Sequence, residues 1–108
     1  MNDKEFLNFA AKAAGIDLKF KGTIPYSCTG LGASIWDPLS DDGDALRLAV
    51  DLNLRIYPCA RTSEGYACSA VADGAGARLS DVICSGDTRA DVRRAIVLAA
   101  AEIGKAMP

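Results

Sequence analysis

Apolar residues fall along this chain in two alternating rhythms, one helical and one of strands. Phe6, Phe9, Ala10, Ala13 and Ala14 recur at three- and four-residue spacing, with Leu7 beside them and Lys4, Asn8 and Lys12 on the other side. Asn2 stands where a helix cap belongs, Glu5 three residues later completes a capping-box-like pair, and Gly15 suits a left-handed stop. Leu18-Lys19-Phe20-Lys21 then alternates as a short half-buried strand, ended by Gly22. Residues 23–35 are rich in Gly, Ser, Thr and Pro and read as a loop. Within it Thr29-Gly30-Leu31-Gly32 lacks the spacing of a dinucleotide fingerprint and the lysine of a phosphate loop, so a flexible connection is expected.

Ser40 or Asp41 caps a second helix whose first turn carries Asp41, Asp42 and Asp44. Carboxylates there are stabilised by unpaired backbone N–H groups and by the helix dipole. Ala45, Leu48, Ala49 and Leu52 form its apolar stripe, Leu46 widens it, and Asn53 suits a left-handed residue at its end. Leu54-Arg55-Ile56-Tyr57 alternates as a strand, and Pro58 favours an edge or a bulge at its far end. Tyr66 to Ala72 reads as its hairpin partner after Thr62-Ser63-Glu64-Gly65. Asp73-Gly74-Ala75-Gly76 is a second turn, and Arg78 to Cys84 a third strand. Ser85 to Thr88 supplies caps for a closing helix with the cleanest stripe in the chain: Val92, Ala95, Ile96, Ala99, Ala100 and Ile103. Val97 and Leu98 spread apolar character round that helix, which predicts the deepest burial there, and Gly104 is expected to mark its fraying end.

The order α-β-α-β-β-β-α defines an α+β fold, a small antiparallel β-meander of three to four strands packed with three helices. The chain of 108 residues is expected to form a single domain, residues 1–108. Half of its residues are apolar and 6% aromatic, so the core must rest on Ala, Leu, Val and Ile.

The formal charge is −2, and the basic residues are scattered among acids as solvated surface charge without a stripe, which disfavours nucleic acid as a partner. The opening Met1-Asn2-Asp3-Lys4-Glu5 is polar, and the apolar run Ala95 to Ala101 is too short to span a bilayer. A cytoplasmic protein with no membrane partner is therefore expected. Cys28, Cys59, Cys68 and Cys84 form no close C-x2-C pair, and there is no His, so zinc would need all four thiols or carboxylate help. Isolated, buried thiols are the expectation, with no metal and no cofactor. Cys59 and Cys68 flank a hairpin turn and are the best candidates to pair on oxidation. Without His, a nucleophilic cysteine lacks its usual base, and no spacing selects a pair of acids, so no catalytic residue is expected.

Three segments carry a resemblance: Trp36-Asp37-Pro38-Leu39, the acidic helix start from Asp41 to Ala49, and the closing Arg93 to Gly104. The opening Ala10 to Ile16 adds to it. Together they resemble a group of small bacteriophage proteins similar to the phage ABA sandwich domain, in which helices cover a small antiparallel sheet. The resemblance implies that fold and a phage or prophage origin, and it implies no activity and no functional residues.

Trp36, Asp37, Asp41, Asp42 and Asp44 are the candidate partner-binding residues, although capping explains the acids, and a core anchor beside Pro38 explains the Trp, without any ligand. The expected function is that of a non-enzymatic binding module acting on a host protein, for instance one of bacterial defence, by placing an acidic surface in a basic groove. A phage protein or a second copy of the chain is a further possible partner. The alternative is a small-ligand or nucleotide-sequestering protein. Its pocket would be framed by Thr23 to Ser34 and the helix start at Asp41, with Arg55, Arg78, Arg93 or Arg94 supplying positive charge.

Overall fold

A computed structural model describes residues 2–28, 32–62, 65–72 and 78–107, with backbone alone at 59–62, 72 and 78–81. The elements run α1 (Asp3–Ala14), β1 (Leu18–Lys21), β2 (Ile24–Ser27), β3 (Ser34–Ile35), α2 (Asp42–Asp51), β4 (Leu54–Thr62), β5 (Gly65–Ala72), β6 (Arg78–Ile83) and α3 (Thr88–Ala106). The α+β class and the antiparallel meander β4-β5-β6 agree with the sequence pattern.

Two expectations are corrected, the first in the amino-terminal half. Residues 23–35 do not form a plain loop, because β2 and β3 join β1 in a second antiparallel sheet of order β1-β2-β3. Gly22, at φ 64°, turns the chain from β1 into β2 so that Lys21 pairs with Ile24. The motif at Thr29 to Leu31 and the turns at 63–64 and 73–77 lie outside the described residues.

Local chemistry sets the helix ends. Asn2 Oδ1 accepts from Glu5 N at 2.9 Å, Asp41 Oδ2 from Asp44 N at 2.7 Å, and Asp87 Oδ1 from Ala90 N at 3.1 Å. Gly15 and Asn53 take positive φ just beyond α1 and α2, at 73° and 55°. Of the two candidates for the second cap, Asp41 is the one used.

Helix α3 is the hub. One side packs on α1 and α2 through a cluster that includes Leu7, Ala10, Trp36, Leu48, Ile96 and Val97. The other side covers β4-β5-β6 through Cys68, Ala70, Ala95 and Ala99. Its alanines let backbones come close, and Gly104 carries this furthest. Gly104 is buried in the helix, and a Cβ built there would overlap the Phe9 carbonyl. The expectation of a fraying end at Gly104 is therefore overturned: α3 continues to Ala106 and uses the missing side chain as an approach point for α1. The meander register skips between Tyr57 and Ala60, so Pro58 sits at an irregularity in edge strand β4, where its missing N–H does least harm.

Candidate functional site

The segment from Trp36 to Arg47 is tied into the fold residue by residue. Trp36 is 7% exposed and belongs to the core beside fully buried Pro38, so its ring is an anchor rather than a surface contact. Asp44 is also buried. Its Oδ2 accepts from Asp37 N at 2.9 Å and its Oδ1 from Arg47 at 2.6 Å, which closes the turn between Trp36 and α2. That hydrogen bond is the leading cause of a raised Arg47 pKa, with the charges of Asp44 and Asp41 adding to it and burial opposing it. Asp41 caps the helix, and Asp42 accepts from Arg93 at 2.6 Å. The acids are thus drawn together, but as a folding device in which three of four have intramolecular donors.

Arg93 corrects another expectation. It is not solvated surface charge: its side chain is 18% exposed, its Nε donates to Leu39 O at 2.9 Å, and it joins α3 to the start of α2. Arg94 pairs with Asp3 at 3.2 Å and lies over the Phe6 ring, so neither arginine is spare for a phosphate.

Beside this joint, α2, α3 and β4 leave an apolar groove of about 280 Å³. Buried Ala45 and Ile96 with half-covered Ile56 and Val92 form its floor, while exposed Leu46 and Arg89 stand at its mouth. Asp42 is the one candidate residue that borders it. Val50, 69% exposed and one turn beyond Leu46, extends the apolar surface along α2. Asp42 and Arg93 neutralise each other on the rim, and no described carboxylate pairs with Arg89. Among the described residues the groove therefore offers apolar area with the charge of Arg89 at its mouth.

A second cavity, about 450 Å³, lies between α1, the β1-β2 turn and the Trp36 segment. Of the frame expected for a small-ligand pocket, Thr23 and Pro25 line it and Asp41 does not, and Asp3 and Asp37 place two carboxylates in its wall. Lys4, also in its wall, stands 4.8 Å from the Phe20 ring centroid.

Cysteine spacing concealed a third arrangement. Cys68 in β5 and Cys84, the residue after β6, belong to the cluster against α3, and their sulfurs and an Asp91 carboxylate oxygen all lie within 4.8 Å of one another. Asp91 is buried, one turn into α3, and accepts from Ser85 N and Ser85 Oγ, both at 2.8 Å. Cys68 Sγ donates to Pro58 O at 2.6 Å. The expectation of isolated thiols does not hold for this pair. The side chain of Cys59 lies outside the described residues, and with it the proposed Cys59–Cys68 pairing. Two signals in the sequence could have found the cluster: Cys68 and Cys84 fall on the helix-facing parity of their strands, and Asp91 follows the cap Asp87 by one helical turn.

No protein-family model, curated protein or solved structure matches this chain. Among the described residues no helix is long and apolar enough to cross a membrane.

Proposed function

We propose that this protein is a non-enzymatic protein-binding module that holds its partner in the groove between α2, α3 and β4. The observation that carries this reading is the continuity of the apolar groove with exposed Leu46 and Val50, beside Arg89, which pairs with no carboxylate among the described residues. Apolar surface gathered around a pocket suits a protruding side chain from another protein. The fitting partner segment presents an apolar anchor with a carboxylate next to it, placed to meet Arg89. The resemblance of the Trp36 and closing-helix segments to phage proteins makes a host protein, met in the host cytoplasm, the partner in this reading. Trp36 and the acids at Asp37, Asp41 and Asp44 then act by holding α2 in place, and Asp42 by forming one rim.

The test compares wild-type chain with Leu46→Asp and Val50→Asp as immobilised baits in host lysate. Leu46 is 59% exposed, so both variants should keep the wild-type melting temperature within a few degrees. A protein retained by wild type and reduced at least about ten-fold by Leu46→Asp is expected, since a buried anchor is typically worth more than 1 kcal/mol. Equal recovery on all three baits would overturn the reading. Sedimentation of wild type alone separates self-association: a dimer lost in Leu46→Asp makes a second copy the occupant.

The second cavity favours one other reading, small-ligand binding. Its volume of about 450 Å³ falls within the range of small-molecule sites. Carboxylates in its wall select a cationic ligand over a nucleotide phosphate. A thermal-shift series with nucleotides and with polyamines decides between those classes, because a ligand bound only by the folded state raises the melting temperature.

A further inference from the structure

We infer that Cys68, Cys84 and Asp91 form a binding site for one thiophilic divalent cation, of which Zn²⁺ is the fitting example. The three donors come from β5, from the residue after β6, and from the first turns of α3, so only the folded chain brings them together. Their ligand atoms lie within 4.8 Å of one another. Zinc–sulfur bonds of about 2.3 Å and a zinc–oxygen bond of about 2.0 Å at tetrahedral angles place the sulfurs about 3.8 Å apart and each sulfur about 3.5 Å from the oxygen. Closure therefore needs a shift of no more than about 1.3 Å. Half-exposed Cys84 is the side chain free to make that shift, because Cys68 is fully buried against the helix.

The surroundings suit metal ligation. Asp91 already accepts from Ser85 N and Ser85 Oγ, which fix its carboxylate while each oxygen keeps a further lone pair for an ion. Such support of a ligating carboxylate is the usual outer layer of a metal site. Two thiols select against Mg²⁺ and Ca²⁺, which take oxygen donors. Binding balances as follows: each thiol gives its proton to solvent, so two protons leave for every ion bound, and the proton that Cys68 now donates to Pro58 O is one of them. The dication compensates one buried and one partly buried thiolate that would otherwise face a carboxylate and a carbonyl. Three protein ligands leave a fourth position, on the half-exposed Cys84 side, for water or an added donor. This site shares no ligand with the α2–α3–β4 groove, so its test is independent of the binding reading.

The experiment uses the full chain, stripped with chelator under a thiol-free reductant and titrated with Co²⁺ as a coloured stand-in for zinc. A thiolate-to-cobalt charge-transfer band saturating at one ion per chain, bleached by Zn²⁺, is the expected result. Lowering the pH by a unit should weaken apparent affinity by up to about a hundred-fold, because two protons compete with each ion. The band should vanish in Cys84→Ser, fall in Asp91→Asn and persist unchanged in Cys28→Ser. Zn²⁺ at a hundred-fold excess over Kd should raise the wild-type melting temperature by on the order of 10 °C. A second measurement needs no substitution: Zn²⁺ should slow alkylation of Cys84 at least ten-fold and leave Cys28 unaffected. Absence of the band in wild type, its survival in Cys84→Ser, its loss in Cys28→Ser, or unprotected Cys84 would each overturn the assignment.

Discussion

At the scale of single residues, Gly104 is the position where two rules collide. In an exposed helix, replacing Gly by Ala gains about 1 kcal/mol of helix propensity. Here the added methyl meets the Phe9 backbone, which cannot swing aside as a side chain tip would. Gly104→Ala should therefore destabilise the protein by about 1–3 kcal/mol, read as a lower urea midpoint at unchanged slope. A gain in stability would mean that α1 stands further from α3 than described. The caps were legible in the sequence because their partners lie three residues away: Asn2 with Glu5, Asp41 with Asp44, Asp87 with Ala90. Gly104 was misread, and the burial of Asp44 missed, because their meaning depends on Phe9 and on the Asp37 N–H, which folding brings to them.

At the scale of elements, the joint between α2 and α3 rests on Arg93. Its pair with Asp42 is open to water on the Asp42 side, which is 61% exposed, so it should contribute little alone. Its bond to Leu39 O is better covered and spans two elements. Arg93→Ala should cost about 1–2 kcal/mol and Asp42→Ala less than about 1 kcal/mol, with a coupling below about 1 kcal/mol in a double-mutant cycle. A coupling equal to the whole Arg93 effect would show that Leu39 O carries none of it. The long elements were legible from period alone, and α3 most clearly. Strands β2 and β3 were not, since four residues including Pro25 and two residues at Ser34–Ile35 are too short to show a period. The signal was there in the turn: two short runs separated by Gly22-Thr23, with Gly leading, match a tight hairpin. At the acidic start of α2 the clustered charge is conspicuous in the chain, while the internal donors of Asp41, Asp42 and Asp44 are invisible there.

At the scale of the whole molecule, both core clusters draw on α3, so protection against opening should be graded outward from it. Amide hydrogen exchange should be slowest over Ala95–Ala101, where nearly every residue is buried, and fastest in β1-β2-β3, whose outer residues Ile24 and Ile35 are 50% and 67% exposed. Equal protection in the two regions would contradict a hub at α3. The groove was not legible from sequence, since it is assembled from three separated segments whose register only the fold sets; the thiol cluster left only strand parity and the Asp87–Asp91 spacing as signals, which name the faces but not their meeting. That same placement of α3 has a consequence for the chain as it is synthesised. The ribosome makes α3 after every element that packs on it, so Leu7, Ala10, Leu48 and Ala70 emerge with their principal cover still unmade. The two core clusters therefore close only once α3 is made. Shortened chains that stop before α3 should bind a dye for exposed apolar surface, and the chain through Ala106 should not, which fluorescence would check.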